Sequence, residues 1–257
     1  MSLILQELGI VVAMQQPNPN LVTADFLKLS GIVPLDWQLA SEPIHRELVS
    51  QLLFTNGVRI IAEPNRIIFD ENIGDRDINT LAVATVARKY IEIFKLAKYA
   101  AIGINIRSHS PQAQIETATA YINHQLLNPG AWQNYGTTPV RASVSLAYTL
   151  PGRELNLEIT AAGIQSGSSE ITPVILFSGN FSYNLAALEV GESSGAASQI
   201  LTNWQTDLST YCELITDRFL MPTAVKILPA TVQIDERNSA ELEIPYAPNL
   251  YPQMTFS

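Results

Sequence analysis

Residues 48–71 read LVSQLLFTNGVRIIAEPNRIIFDE, and this stretch indicates the fold class. Its β-branched and aromatic residues, which favour strands, are concentrated in three short runs at 48–54, 58–63 and 66–71. Asn56-Gly57 separates the first two runs, and Pro64-Asn65 separates the second from the third. Asn-Gly between apolar runs is a specific signal of a hairpin turn. The stretch therefore predicts a three-stranded antiparallel meander.

A strand and a short helix are predicted before the meander, and a long helix and a further strand after it. The apolar run at 3–14 predicts the first strand. Thr23 and Gly31 are suited to begin and end the short helix. Apolar residues at helical spacing predict a helix from about 76 to 96, and YAAIGINI at 99–106 predicts a strand.

The second half of the chain repeats this order with longer strands. Ser110 followed by Pro111 predicts a helix start, with proline in the first turn, and the helix is expected to end near Asn128. An apolar stripe predicts a long helix at 194–219. Between these helices, three strands are predicted at 139–150, 153–163 and 171–184.

Both halves follow the order helix, three strands, helix, which predicts an α+β fold made by tandem pseudo-duplication. Each half is expected to form a curved antiparallel sheet covered by a long helix. The predicted units are 1–110 and 111–221, followed by an extended C-terminal segment at 222–257. One continuous domain is the alternative.

Charge is low overall and unevenly distributed. The 257 residues are 47% apolar and 15% charged, with a formal net charge of -9. Residues 1–110 carry 10 basic and 11 acidic side chains, net -1, whereas residues 111–257 carry 5 and 13, net -8. Acidity opposes binding to nucleic acid or to an anionic membrane. Low charge density predicts that a partner covers part of the surface, and the acidic half favours a basic partner.

The sequence is that expected of a cytoplasmic protein. Its single cysteine, Cys212, excludes an intrachain disulfide and fits a reducing compartment. The first residues lack the basic region and cleavage site of a signal peptide, and no apolar window is long enough to span a membrane.

Residues 244–256 form an apolar stretch without a charged residue. Leaving it in water exposes apolar area at about 25 cal/mol per Å². Burial against the chain's own domain and burial against a neighbouring subunit both remain open; the second predicts a homo-oligomer. The candidate interaction residues in this stretch are Tyr246, Leu250, Tyr251, Met254 and Phe256.

Five basic residues within twenty positions form a local positive group: Arg88, Lys89, Lys95, Lys98 and Arg107. One interpretation is a solvated helix face. The others are an anion-binding site and a contact with the acidic half of a neighbouring subunit, arranged head to tail.

One motif resembles a catalytic site. Residues 191–195, GESSG, match the G-x-S-x-G pattern of hydrolases, with Ser193 as the candidate nucleophile. No histidine follows Ser193 in the chain, whereas the hydrolase order of serine, acid and histidine requires one. The alternative is a turn in which Ser193 or Ser194 caps the last helix.

The sequence contains no recognisable motif for binding a metal or a cofactor. His45, His109 and His124 have no second histidine one helical turn away. The acidic stretch DENIGDRD at 70–77 lacks the glycine and glutamate spacing of a calcium loop, so its acids are expected to favour a helix start. No phosphate-binding glycine motif is present. No cofactor or metal is therefore expected.

The stretches FTNG (54–57), AEPNRIIF (62–69) and YAAIGIN (99–105) resemble uncharacterised bacterial proteins, several of them from cyanobacteria. The resemblance covers about the first 110 residues and rests on turn and strand residues. It implies a bacterial cytosolic protein and carries no catalytic residue.

The sequence favours a non-enzymatic binding or assembly protein that acts through protein–protein contacts. The alternative is a small apolar-ligand-binding protein, in which a sheet wraps a long helix and a pocket is lined by Trp204, Tyr148 and Phe177. A serine hydrolase at Ser193 is the third hypothesis.

Overall fold

The structure is a computed structural model that describes residues 2–15, 17–165 and 171–221. Within these ranges, nine strands form one sheet, in which every neighbouring pair is antiparallel. The strands are β1 Ile4–Met14, β2 Ile44–Arg46, β3 Val49–Leu53, β4 Val58–Glu63, β5 Arg66–Asn72, β6 Tyr99–Pro111, β7 Ser143–Leu150, β8 Arg153–Gln165 and β9 Ile171–Asn184. Their order across the sheet is β2-β3-β4-β5-β1-β6-β9-β8-β7.

Five α-helices belong to the same part of the chain: α1 Ala24–Leu29, α2 Val83–Ile93, α3 Ile115–Ala120, α4 Val190–Thr202 and α5 Trp204–Leu214. Short 3₁₀ turns occupy Pro19–Leu21, Ile78–Thr80 and Ala131–Asn134. Two π-helical turns, Tyr121–Leu126 and Ile215–Leu220, continue α3 and α5. The predicted α+β class with an antiparallel sheet is confirmed. No helix of the described ranges is long and apolar enough to cross a membrane.

Pairing of β1 with β6 makes the sheet continuous. The two strands pair from Ile4↔His109 to Met14↔Tyr99, while the other edge of β1 pairs with β5. The prediction of a separate sheet in each half is therefore wrong. Apolar alternation predicts which face of a strand is buried, but it does not predict which strand lies beside it.

The helices pack on one face of the sheet, which we call the inner face. Leu8, Ile10 and Val12 of β1 alternate along this face and are almost fully buried. From α2, the Tyr90 ring packs against Phe69 of β5, with 5.7 Å between ring centroids. The helices and the inner face thus share one apolar core.

The side chains that point away from the helices form the open face. Most of them are half-buried or exposed. β8 shows the alternation clearly, because Leu155 and Leu157 are buried whereas Glu154, Asn156 and Glu158 are exposed. This is the pattern of an antiparallel sheet with one face toward the core and the other toward solvent.

Two long helices differ from their predicted limits. In place of one helix at 76–96, the Asp77 side chain accepts a hydrogen bond from the Asn79 N–H and caps a 3₁₀ turn, and α2 begins only at Val83. The helix predicted at 194–219 begins earlier, at Val190, and Asn203 separates α4 from α5.

The predicted helix start at Ser110-Pro111 is wrong. β6 continues to Pro111, because β9 extends far enough to pair Val174 with it. Proline is tolerated at a strand end, where its missing N–H costs no ladder hydrogen bond. The helix begins at Ile115, four residues later.

Residues Met1–Pro222 form one compact unit. The predicted boundary between residues 110 and 111 falls inside β6, which pairs with β1 on one side and β9 on the other. The segment predicted to be extended, 222–257, lies outside the described residues.

Candidate functional site

A row of polar side chains crosses the centre of the open face. In register, Arg59 of β4 lies opposite Asp70 of β5, and Asp70 lies opposite Gly9 of β1. Gly9 in turn faces Asn105 of β6, which faces Asn180 of β9. We call these five residues the polar row. It brings together positions from five strands that are as far as 171 residues apart in the chain.

An ion pair holds one end of the polar row. The Arg59 guanidinium donates from Nη2 and Nε to Oδ2 of Asp70, at 2.7 and 3.0 Å. The Asp70 side chain is only 7% exposed, whereas that of Arg59 is 38% exposed. Burial raises the pKa of Asp70, and the hydrogen bond from Arg59 opposes this rise. Asp70 is thus a shielded carboxylate whose counter-charge remains accessible.

A second pair of opposite charges lies beside the polar row. Glu7 of β1 faces Arg107 of β6, with 4.0 Å between Oε2 and Nη1. Burial raises the pKa of Glu7; Arg107 opposes the rise and Asp70 adds to it. The centre of the open face therefore combines two carboxylates with two guanidinium groups.

Two glycines leave space at this centre. A Cβ atom on Gly9 would lie 2.9 Å from Asp70 Oδ1, and one on Gly103 would lie 3.3 Å from Asn180 Nδ2. The neighbouring polar side chains occupy that space instead. The Asn180 amide also donates a hydrogen bond to Asn105 Oδ1, which links β9 to β6.

Small polar residues continue the open face toward β7. Glu154, Asn156 and Glu158 of β8 are exposed there. The other members of this part are Ser143, Ser145, Ala147, Thr149, Ser178 and Ser182. Hydroxyl, amide and carboxylate groups spread along a sheet can hydrogen-bond an extended or flat partner. The arrangement suits binding.

Glu71, the neighbour of Asp70, points to the inner face and serves α2. One of its oxygens accepts hydrogen bonds from the N–H groups of Ala82, at 2.7 Å, and Val83, at 2.8 Å. The other oxygen forms an ion pair with Arg76 at 2.8 Å. A carboxylate at a helix N-terminus is stabilising. Glu71 fits the expected role of this acidic stretch at a helix start, although it acts from a strand.

Ser193 lies in the first turn of α4 and is fully buried. Its hydroxyl donates to the Val190 carbonyl at 2.9 Å and accepts a hydrogen bond from the Tyr99 N–H at 3.4 Å. The hydrogen bond with Tyr99 joins α4 to β6. The prediction that Ser193 or Ser194 caps the helix is wrong, because the chain enters the helix earlier and Glu189 is the N-cap.

The histidines lie on different parts of the sheet and its connections. His45 is in β2, with Nδ1 3.0 Å from the Ser50 hydroxyl. His109 is half-buried in β6, and burial lowers its pKa. His124 follows α3. Within the described ranges, no group of three or more His, Cys, Asp or Glu side chains is placed to hold a metal ion.

The basic group predicted from the sequence does not form one patch. Arg88 and Lys89 lie on α2, and Arg88 pairs with Glu92 one turn further along. Arg107 lies in β6 on the open face, away from the helices. Lys95 and Lys98 lie in the segment that joins α2 to β6.

The three aromatic residues predicted to line a pocket lie on three different elements, β9, α5 and β7. Phe177 is fully buried in the core, with its ring 6.2 Å from that of Phe219. Trp204 lines a groove of about 310 Å³ beside α2 and α4. Tyr148 is half-buried on β7, the outermost strand. The candidate residues between Tyr246 and Phe256 lie outside the described part of the chain.

No family model matches the chain, and no curated protein is significantly similar to it in sequence.

The polar row is the main feature that the sequence analysis misses. Each member occupies a single position in a different strand, so no local motif contains two of them. Two signals pointed toward it: glycine inside the predicted strands at Gly9 and Gly103, and charged residues at Arg59 and Asp70 within apolar runs.

Proposed function

We propose that this chain is a non-enzymatic binding protein that acts through contacts with other protein chains. The open face carries the proposal. It extends from β4 to β7, each of its strands contributes polar side chains, and paired charges lie at its centre. Protein–protein interfaces contain direct hydrogen bonds between polar groups as well as apolar contacts.

The chemistry of the face supports a partner with a basic surface. Glu154 and Glu158 are exposed on β8, whereas Arg59 and Arg107 are each paired with a carboxylate. The unpaired negative charge of the face thus lies toward β8. This agrees with the net charge of -8 for residues 111–257. Complementary charge across an interface steers encounter and excludes acidic competitors.

Assembly with further copies of the chain is part of the proposal. The uncharged apolar stretch at 244–256 supports it from the sequence, because burial of that stretch against another subunit removes apolar area from water. A cytoplasmic location is part of the same proposal, and the resemblance to bacterial cytosolic proteins supports it.

We also infer a tandem duplication as the origin of the fold. In the first half, β1 is followed by α1, the meander β3-β4-β5 and α2; in the second, β6 is followed by α3, β7-β8-β9 and α4. β1 lies beside β5, the last strand of its half, as β6 lies beside β9. The strand predicted at 99–106, between the two halves, is β6. In this proposal β6 corresponds to β1 and starts the second repeat. Curvature of the sheet over the helices belongs to the same proposal.

The test reverses one exposed charge on the open face. Glu158→Arg is compared with Glu213→Arg, which reverses another exposed carboxylate, on α5. Proteins that copurify with the full-length chain are quantified for the wild type and both variants. We expect at least one partner to be retained by Glu213→Arg and depleted by Glu158→Arg. Identical partner sets for all three proteins would refute binding through this face.

A second candidate, binding of a small apolar ligand, is favoured by the groove at Trp204. Its volume of about 310 Å³ is at the lower end of ligand sites, and Leu201 and Ala84 contribute apolar walls. Titration with an anilinonaphthalene sulfonate, followed by tryptophan fluorescence, tests this candidate. Saturable quenching that disappears in Trp204→Phe would support it, and an unchanged signal would exclude it.

A further inference from the structure

β7 is the last strand at one edge of the sheet. One edge of β7 pairs with β8, and its other edge faces outward. Within the described ranges, no main-chain or side-chain hydrogen bond reaches the outer edge of β7. An exposed strand edge presents a row of N–H and C=O groups that can pair with another strand.

The hairpin that joins β7 to β8 shows which groups point outward. Pro151 and Gly152 form a two-residue turn between Leu150 and Arg153, which are partners in the ladder. Residues that flank such a turn exchange hydrogen bonds, and in an antiparallel ladder every second residue directs its main-chain groups to the other side. The outward-directed residues are therefore Ser143, Ser145, Ala147 and Thr149.

β7 lacks the features by which proteins usually protect a sheet edge. Charged side chains, proline and bulges discourage edge pairing. All eight residues of β7 are uncharged, none is proline, and the register with β8 is regular. The opposite edge differs, because β2 is three residues long and contains His45 and Arg46.

We propose that β7 pairs antiparallel with β7 of a second copy of this chain across a two-fold axis, so that the two sheets become continuous. The strand is self-complementary. Val144, Leu146 and Tyr148 are half-buried on the inner face, while Ser145 and Ala147 are exposed on the open face. An antiparallel two-fold pair brings like faces together, so apolar residues meet apolar residues and small residues meet small ones.

Electrostatic repulsion between the two acidic halves does not prevent this pairing. The nearest exposed carboxylates of the open face, Glu154 and Glu158, are on β8, one strand inward from the edge. In the pair they are three strand spacings from their counterparts, about 14 Å. This exceeds the Debye length of about 8 Å at physiological salt. The inference concerns the sheet edge, so it goes beyond the proposed function of the open face.

The test places charges on the outward-directed residues of the full-length chain. Two double variants are made, Ser145→Lys with Ala147→Lys and Ser145→Glu with Ala147→Glu. In a homodimer of either double variant, residues 145 and 147 of one copy face residues 145 and 147 of the other. Like charges then repel each other in any register that pairs these positions. By sedimentation velocity at tens of micromolar, we expect a wild-type dimer, two monomeric variants, and a dimer again when the variants are mixed in equal amounts.

Asn156→Lys is the matched control. Asn156 is exposed on the same face and lies opposite Ala147, but on β8 rather than at the edge. We expect this variant to remain dimeric. Because every changed side chain is exposed, we expect all variants to fold. Circular dichroism and thermal unfolding check this.

Four results would overturn the inference. The first is a monomeric wild-type chain. If the β7 amides of that monomer are protected from hydrogen exchange, another part of the same chain covers the edge. The second is a dimer that survives both double variants. The third is a mixture that stays monomeric, and the fourth is a control that dissociates. A monomeric wild-type chain would also contradict assembly with further copies. The Glu158→Arg comparison tests binding through the open face and does not depend on any of the four results, so failure of the β7 pairing is distinguishable from failure of that binding.

Discussion

A Cβ atom added to Gly9 would lie 2.9 Å from Oδ1 of Asp70, closer than side-chain carbons approach such an atom. Because β1 has no side chain at this position, the Asp70 carboxylate lies over the strand while its other oxygen holds Arg59 at 2.7 Å. The glycine and the ion pair thus depend on each other.

We predict that Gly9→Ala destabilises the fold by about 1–3 kcal/mol, the range for an overpacked site. Alanine at a strand position would otherwise gain a few tenths of a kcal/mol from reduced unfolded-state entropy. Gly103→Ala is the matched control, because its Cβ would lie 3.3 Å from the Asn180 amide and the contact is milder. Urea unfolding at pH 7 measures both. Equal stability of the two variants would contradict the argument.

Tyr211 joins α5 to the sheet through its hydroxyl group. The hydroxyl lies 2.6 Å from the Ser108 hydroxyl and donates to the Phe177 carbonyl at 3.0 Å, and the side chain is fully buried. We predict that Tyr211→Phe costs about 1–3 kcal/mol, since it leaves buried partners unsatisfied. Tyr148→Phe, in a half-buried residue of β7, is expected to be close to neutral. Similar losses for both variants in urea unfolding would refute the role of the buried hydroxyl.

Local features of the sequence predict most of the strands. The meander at 48–71 appears as β3, β4 and β5, and no predicted strand limit differs from the observed one by more than one residue. The Asn56-Gly57 turn and the apolar alternation are local signals, which is why the sequence predicts them. Thr23 caps α1 as expected. The short strand β2 has no such signal, since it holds only three residues and all are exposed.

Tertiary contacts account for what the sequence does not predict. Ser110-Pro111 has the local features of a helix start, but pairing with β9 keeps both residues in a strand. The polar row depends on register across five strands, which no local pattern specifies. The candidate site therefore had to come from the structure, whereas the fold class did not.

Glu7 makes the stability of the protein depend on pH. Burial raises its pKa above the ordinary value of 4.5, so the folded state holds this proton more tightly than the unfolded state. The stabilising contribution is complete below pH 4.5 and is lost as the pH rises through the raised pKa. Glu7→Gln removes this loss. We predict that the variant gains stability relative to the wild type between pH 4.5 and pH 7.

Thermal unfolding at several pH values from 4.5 to 7.5 checks this prediction. Glu158→Gln is the control, because it removes an exposed carboxylate from the same face. A stability difference between Glu7→Gln and the wild type that does not change with pH would show that the Glu7 carboxyl does not titrate as argued. Burial also raises the pKa of Asp70, so Asp70 changes the stability of the wild type and of Glu7→Gln with pH in the same direction.

The final prediction concerns the buried carboxylate that ties α5 to β8 and β9. Asp207 is 1% exposed, accepts a hydrogen bond from the Tyr183 hydroxyl at 2.7 Å, and lies 2.7 Å from Nε of Arg153. Removing one partner of a buried ion pair leaves the other charge uncompensated, which costs about 3–5 kcal/mol. Arg153 keeps 18% of its side chain exposed, so we predict a loss of about 3 kcal/mol for Asp207→Ala, at the lower end of that range.

The exposed Asp217 supplies the control, and Asp217→Ala is expected to change stability by less than about 0.5 kcal/mol. A double variant, Asp207→Leu with Arg153→Met, separates loss of the pair from loss of packing, because replacing a buried ion pair by apolar residues of similar size is often neutral. We therefore expect the double variant to recover much of the stability that Asp207→Ala loses in urea unfolding. If the double variant is no more stable than Asp207→Ala, the loss comes from the Tyr183 hydrogen bond or from packing, and the uncompensated Arg153 charge is not its cause.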